Sequence, residues 1–184
     1  MEENERKSQN ISDFVVEQKT LLGYILAALF LIFSDPSKAS VFFGVIFCTA
    51  GEAIRMLTIS AHEESDTLIT TGIYSYVRNP EYLGNFIIGL GLFLMGDIFI
   101  FTVAFVLGYL FIYTERIKIE EEELKETFEE EFEEYSLNVP GLMPRLTSWE
   151  ESELRFDLGR MIANKEHYLW IAIYALTIIM FLKT

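Results

Sequence analysis

The sequence predicts an all-α, polytopic integral membrane protein with about five transmembrane helices. Of its 184 residues 51% are hydrophobic, and yet the formal net charge is −14. The two populations are segregated, because residues 98–113 carry no charge whereas ten glutamates lie between Glu120 and Glu134. Such segregation is typical of membrane spans that are joined by polar segments. The alternating pattern of a transmembrane barrel is missing.

Five apolar segments approach the ~20 helical residues that cross a bilayer. They are residues 20–33, 39–61, 80–95, 98–113 and 167–182. Only Gly96 and Asp97, a turn dipeptide, separate the third segment from the fourth, which predicts a tight helical hairpin. The first segment is short, and residues 1–18 before it form a polar tail without the features of a secretory signal.

Basic residues predict the orientation of these spans. With the N-terminus inside, eleven Lys and Arg residues fall on the cytoplasmic side, and only Lys38 and Lys183 fall on the other. The positive-inside rule therefore puts the N-terminus and residues 115–166 in the cytoplasm.

Composition also excludes several classes of function. The acidity argues against a nucleic-acid partner, since phosphates need clustered Lys and Arg. Cys48 is the single cysteine, which excludes an internal disulfide and a Cys-based zinc site. His62 and His167 have no partner at metal-ligand spacing, so we expect no metal.

The third apolar segment begins with a recognisable helix start. Pro80 suits the first turn, where its missing N–H costs nothing, and Asn79 before it is a candidate N-cap. One interpretation is a capped helix start with interfacial tyrosines. The other is that the N–H groups and the helix dipole receive an anionic ligand group.

A second candidate lies on the predicted helix of residues 115–135. One apolar stripe runs along it, formed by Ile117, Leu124, Phe128, Phe132 and Tyr135. Most glutamates fall on the opposite, solvated face, but Glu120 and Glu121 project beside the stripe, and Arg116 is four residues before Glu120. Arg116 and Glu120 are either a simple intrahelical salt bridge or functional groups at the mouth of the membrane bundle.

The second apolar segment contains Glu52 and Arg55, three residues apart. We expect them to neutralise each other, either as a buried pair that holds helices in register or in a catalytic role.

Residues 72–84 and the segments after the hairpin resemble a known family. GIYSYVRNPEYLG (72–84) resembles the G-x-Y-x-x-x-R-H-P-x-Y-x-G element of the isoprenylcysteine carboxyl methyltransferase family, whose relatives methylate phospholipids. RIKIEEEELKETFEEEFEEY (116–135) resembles that family's R-x-x-x-E-E-x-x-L-x-x-x-F-G-x-x-Y-x-x-Y element, and the closing V-P-x-x-x-P is present at 139–144. Asn79 stands in place of the usual His, Glu129 in place of a Gly and Phe132 in place of a Tyr.

This resemblance implies a single membrane methyltransferase domain over residues 1–184. Its cofactor and catalytic core would be residues 66–144, with residues 167–182 as an additional C-terminal membrane helix. The methyl donor would be S-adenosylmethionine, held in a cytoplasm-facing pocket, and the acceptor a lipophilic or lipidated molecule at the inner membrane face. Carried over position by position, the cofactor contacts are Thr67, Leu68, Ile69, Tyr74, Asn79, Pro80, Glu81 and Tyr82. Arg116 and Glu120 match the polar pair near the reacting group.

The chemistry of the acceptor stays open at this point. A carboxylate acceptor needs an orienting cation, which Arg116 supplies, whereas an amine acceptor needs a base, a role that suits Glu120. A phospholipid N-methyltransferase is therefore one alternative. Others are an NADPH-dependent membrane sterol-type reductase, which carries a similar hairpin motif, and a membrane scaffold without catalytic activity.

Overall fold

The structure is a computed structural model that describes residues 25, 27–61, 67–150 and 153–184. The chain divides into two compact units, Met1–Asp35 and Pro36–Thr184. In the first unit, residues 27–33 are helical. The polar tail and residues 20–24 and 26 of the first predicted span lie outside the described residues.

The second unit is built from helices, and no strand occurs among its described residues, as predicted for an all-α protein. In chain order they are α1 (Lys38–Ala61), a 3-10 helix (Gly72–Ser75), α2 (Pro80–Met95), α3 (Phe99–Asn138), α4 (Leu158–Ala163) and α5 (Glu166–Lys183). In the described part of the chain, α1, α3 and α5 are long and apolar enough to cross a membrane, and α2 is apolar but shorter. Large apolar side chains such as Phe42, Phe111 and Leu182 are exposed on these helices, which suits a surface in contact with lipid.

Helix α2 packs chiefly against α1, and glycines lie at their contact. A Cβ atom added to Gly51 of α1 would lie 2.7 Å from the carbonyl oxygen of Gly84 on α2. The two backbones are therefore in direct contact, as small residues allow between membrane helices. Cys48 lies on the same side of α1, where its thiol is buried and donates to the Ile88 carbonyl at 3.6 Å.

The predicted hairpin between α2 and α3 is confirmed. Asp97 turns the chain with φ +56°, a conformation that Asp tolerates better than most residues, and its carboxylate accepts a hydrogen bond from Ser37. Aromatic rings fill the seam between the two helices: Phe86 lies 5.3 Å from Tyr109, and Tyr109 stacks on Tyr113 at 4.1 Å. This seam leads from the turn towards the start of α2.

The apolar segment 98–113 and the acidic helix 115–135 form one helix, α3, which is interrupted at Glu129. Glu129 has φ +40° and ψ −114°, so the last turns take a new direction. The predicted apolar stripe is confirmed at Ile117, Phe132 and Tyr135, which are buried, but is wrong for Leu124, which is 37% exposed. The stripe assumes an uninterrupted helix, whereas the break at Glu129 gives Phe132 and Tyr135 a direction of their own onto the core.

Candidate active site

The loop before α2 is joined to the segment that follows α3. Backbone N–H groups of Arg78 and Asn79 donate to the carbonyls of Pro140 and Gly141 at 2.9 and 3.1 Å. Further along, the N–H of Trp149 donates to the carbonyl of Ser75 at 3.0 Å. These bonds bring the two motifs of the sequence, which are far apart in the chain, into one structure.

Arg78 holds this junction together. Its guanidinium donates to both carboxylate oxygens of Glu121, at 2.9 and 3.0 Å. It also donates to the carbonyls of Ser136 and Val139, at 2.8 and 2.7 Å, where α3 ends. Arg78 therefore provides a donor for a carbonyl in the last turn of α3, at Ser136, and for that of Val139 just after the helix. No local pattern predicts this role of Arg78, although the arginine of the first motif was a signal for it.

Asn79 is the N-cap residue of α2 by position, and Pro80 is in the first turn, both as predicted. The side chain of Asn79 does not cap the helix, however, so that part of the expectation is wrong. Its amide donates instead to Glu121 at 2.8 Å and to the Gly141 carbonyl at 3.2 Å. A cap would use the amide oxygen of Asn79, whereas the charged carboxylate of Glu121 binds the amide nitrogen and so fixes the orientation of the side chain.

Arg116 and Glu120 form the predicted pair on α3, with the Arg116 Nε atom 3.1 Å from a carboxylate oxygen of Glu120. Tyr82 of α2 completes the cluster. Its hydroxyl donates to the same Glu120 oxygen at 2.5 Å and accepts from Arg116 Nε at 3.1 Å. Tyr109 donates in turn to the backbone carbonyl of Tyr82 at 2.8 Å, which fixes this residue on α2.

The Arg116 side chain is 67% exposed, and that of Glu120 is 38% exposed. Because Nε makes both contacts of Arg116, the four N–H groups on its Nη atoms have no protein partner among the described residues. The cluster thus offers a fixed cation with free donors, next to the apolar seam of α2 and α3.

The predicted cofactor residues fall into separate environments. Tyr74 and Glu81 line a cavity, Asn79 and Tyr82 belong to the two hydrogen-bonded clusters, and Pro80 is fully buried in the first turn of α2. Three more precede the 3-10 helix: Thr67, which is exposed, and Leu68 and Ile69, which are partly buried. Leu68 packs against the buried cluster of Phe132, Tyr135 and Val139.

The cavity has a volume of about 280 Å³ and lies between the end of α1, the start of α2 and the α4–α5 junction. Arg55, Thr58 and Ile59 line it from α1. Tyr74, Glu81, Asn164 and Glu166 form the remaining wall. Burial, and secondarily the carboxylate of Glu81, raise the pKa of Tyr74 to about 12, so this phenol is neutral at physiological pH.

The structure contradicts the expected pairing of Glu52 with Arg55. Arg55 binds Glu166 of α5 through Nε and Nη2, and its Nη1 donates to Asn85 at 2.6 Å. Glu52 is buried, and its carboxylate oxygens have no hydrogen-bond partner in the described part of the chain. The expectation failed because a carboxylate from a distant helix approaches Arg55 with better, two-point geometry.

Comparisons with known proteins identify the family. The sequence profile of the isoprenylcysteine carboxyl methyltransferase (ICMT) family matches residues 27–126. The protein-S-isoprenylcysteine O-methyltransferase of Schizosaccharomyces pombe is 32% identical over 131 residues, which are 71% of this chain and 51% of that protein. The enzyme of the same name from Saccharomyces cerevisiae is 32% identical over 122 residues, which are 65% and 48% of the two chains.

A bacterial relative carries a different name. The nickel-cobalt-cadmium resistance protein NccN of Alcaligenes xylosoxydans xylosoxydans is 30% identical over 128 residues, which are 69% of this chain and 59% of that protein. The chain thus spans about half the length of the curated relatives it matches. Since the family profile covers more than half of its residues, the chain belongs to the isoprenylcysteine carboxyl methyltransferase family.

Proposed function

We propose that the protein is an S-adenosylmethionine-dependent methyltransferase that acts on a lipophilic or lipidated acceptor at the inner membrane face. Residues 66–144 would form its catalytic core. Membership of the family supports the reaction class. The observation that carries the proposal is the Arg116–Tyr82–Glu120 cluster, because it holds an exposed cation at the polar end of an apolar, aromatic helix seam.

Among the described residues, one cavity suits the methyl donor, S-adenosylmethionine. The cavity beside Tyr74 and Glu81 combines a guanidinium with carboxylates, and these are the charges that a zwitterionic ligand requires. The donor supplies, when bound, an electrophilic methyl group on a sulfonium. The protein's task is then to bind the acceptor and to align it, since correct orientation supplies most of the rate in a displacement of this kind.

We assign the alignment of the acceptor to Arg116. Its free N–H groups suit the two oxygens of a carboxylate. Glu120 already accepts hydrogen bonds from Tyr82 and Arg116 on one oxygen, so we assign it a positioning role rather than that of a base. This arrangement favours a carboxyl acceptor over an amine acceptor.

Product analysis tests the proposal. Purified protein in detergent is incubated with labelled donor and either an S-prenylated cysteine or phosphatidylethanolamine. We expect a base-labile methyl ester on the prenylated cysteine. A base-stable N-methyl product would favour the phospholipid reaction, and binding of NADPH without binding of S-adenosylhomocysteine would contradict methyl transfer altogether.

Substitution of Arg116 tests the residue assignment. Arg116→Ala removes the orienting cation, and we expect turnover to fall about 100-fold or more while the affinity for S-adenosylhomocysteine is retained. Lys118→Ala is the control, because Lys118 is an exposed cation on the same helix that is paired with Glu115. Equal turnover of the two variants would contradict the role of Arg116.

We further infer five membrane spans with the N-terminus and the catalytic face in the cytoplasm, from the distribution of basic residues. After Cys48→Ala, single cysteines introduced at Asp97 and Glu130 can be labelled with an impermeant maleimide on intact cells. Only the cysteine at position 97 should react. Labelling at position 130 alone would show that the orientation is the reverse of the one proposed.

A further inference from the structure

We propose that the C-terminal part of this chain, α4 and α5, completes a binding site for the amino-acid end of the sulfonium donor. The inference rests on the proposed function, since it names the part of the donor that one cavity receives. That cavity is the one of about 280 Å³ between α1, α2 and the α4–α5 junction. The family profile matches residues 27–126, so α4 and α5 lie outside the matched region.

The charges around the cavity match an α-amino acid. Such a group carries a carboxylate and an ammonium on the same carbon atom, so its site needs a cation and an anion side by side. Arg55 supplies the cation, and Glu81 and Glu166 supply carboxylates. With two carboxylates against one guanidinium, the wall has an excess negative charge, which favours a ligand whose net charge is positive, as that of a sulfonium amino acid is.

Arg55 retains donors for a ligand although it is already held in place. A guanidinium has five N–H groups. Three of them donate to Glu166 and Asn85, which leaves two for a ligand carboxylate. The side chain of Arg55 is only 15% exposed, so these bonds would form largely out of water, where they are strongest.

Glu81 is the acceptor that is open to the ammonium group. Its carboxylate lies 3.7 Å from Arg55 Nη1, beyond hydrogen-bond distance, and its side chain is 66% exposed. Tyr74, a neutral phenol, adds a polar group to the same wall without adding charge.

The junction of α4 and α5 brings two polar side chains to this cavity. Lys165 has φ +62°, and the sharp turn there separates Asn164, the last residue of the α4 side, from Glu166, the first residue of α5. The Asn164 amide nitrogen donates to the Arg160 carbonyl at 2.9 Å, and the amide oxygen is a further acceptor group. Both residues line the cavity.

The size of the cavity indicates that it holds a part of the donor rather than the whole molecule. Complete small-molecule sites occupy about 300–1,000 Å³, and this cavity lies just below that range. The adenosyl part would then lie outside it.

Two ligands that differ only in this part test the inference. S-adenosylhomocysteine has the amino-acid end, and 5′-methylthioadenosine lacks it. Isothermal titration calorimetry measures both affinities for the full chain and for Glu81→Gln, Asn164→Ala and Glu166→Gln. Glu153→Gln is the matched control, because this carboxylate is in the same C-terminal region and its side chain is 81% exposed.

We expect the affinity for S-adenosylhomocysteine to fall about 10- to 100-fold in Glu81→Gln, and by a smaller factor in Asn164→Ala. The affinity for 5′-methylthioadenosine should stay at the level of the unmodified chain in both, and the control should change neither affinity. Glu166→Gln also weakens the contact of α5 with Arg55, so its result is compared with those of the other two variants.

Two results would overturn the inference alone. One is an unchanged affinity for S-adenosylhomocysteine in Asn164→Ala, since α4 and α5 would then add nothing to the site, and the other is an equal loss for both ligands in Glu81→Gln and Asn164→Ala. If the unmodified chain binds neither ligand, the proposed function fails as well.

Discussion

Glu129 occupies a backbone conformation that suits glycine, and Glu129→Gly is therefore expected to stabilise the protein. With φ +40° and ψ −114°, the residue lies at positive φ, in a part of conformational space that L side chains rarely adopt. It is exposed, so the substitution removes no packing. The related family motif has a Gly at this position, which agrees with the geometry.

The magnitude follows from two opposing contributions. An L residue at positive φ costs about 1–3 kcal/mol, which glycine does not incur. Glycine loses about 0.5–1 kcal/mol more conformational entropy on folding. The net gain is about 1 kcal/mol, and for a chain of this length it corresponds to a rise of about 2–4 °C in Tm.

Thermal unfolding in detergent, followed by circular dichroism, measures the change. Glu130→Gly is the control, because it removes the same charge from the next, ordinary helical position. That control should lower stability by about 1 kcal/mol. The sign of the effect should thus differ between two neighbouring glutamates.

Equal destabilisation by both substitutions would refute the reasoning. It would mean that residue 129 is helical in the folded protein and that α3 is not interrupted there. Equal stabilisation would attribute the effect to the loss of a charge in the acidic run.

Other substitutions have effects of a similar size that differ in origin. Gly51→Ala places a methyl group 2.7 Å from a backbone carbonyl of α2 and should lower the unfolding free energy by about 1–3 kcal/mol. Gly108→Ala adds a methyl group in open space and should leave that free energy unchanged or raise it. Chemical denaturation measures both. Arg78→Met leaves Glu121 without its main partner and should cost about 3–5 kcal/mol, and the double variant with Glu121→Met should recover part of this loss. The pKa of Tyr74 is raised from 10 in the unfolded chain to about 12 in the folded protein. Its protonated form therefore contributes to the unfolding free energy fully below pH 10, and this contribution is lost as the pH rises through 12. The difference in unfolding free energy between the unmodified chain and Tyr74→Phe should therefore shift by roughly 2–3 kcal/mol over that interval, and a difference that is constant with pH would contradict the shift.

Local patterns predicted the elements of this fold well. The start of α2 at Pro80 and the turn at Asp97 were readable because each depends on a few neighbouring residues. The contact between Arg116 and Glu120 was predictable for the same reason, since residues four apart on a helix are neighbours.

Contacts between distant segments were not predictable. Glu166 lies 111 residues after Arg55, and no periodicity links the two, so the sequence alone favoured the nearer Glu52. Likewise, the third member of the candidate cluster, Tyr82, reaches Glu120 only because the hairpin places α2 beside α3. The positive φ of Glu129 was not predictable from its residue type, because glutamate usually favours helix.

The pairing of Arg78 and Asn79 with Pro140 and Gly141 has a consequence for the order of synthesis. The strap, by which we mean residues 140 and 141, is synthesised about 60 residues after the loop that it binds. Until it leaves the ribosome, the arginine of the first motif has neither the carbonyls at the end of α3 nor the backbone of the strap to bind. A nascent chain released after the hairpin would lack the hydrogen bonds that join the loop before α2 to residues 140 and 141.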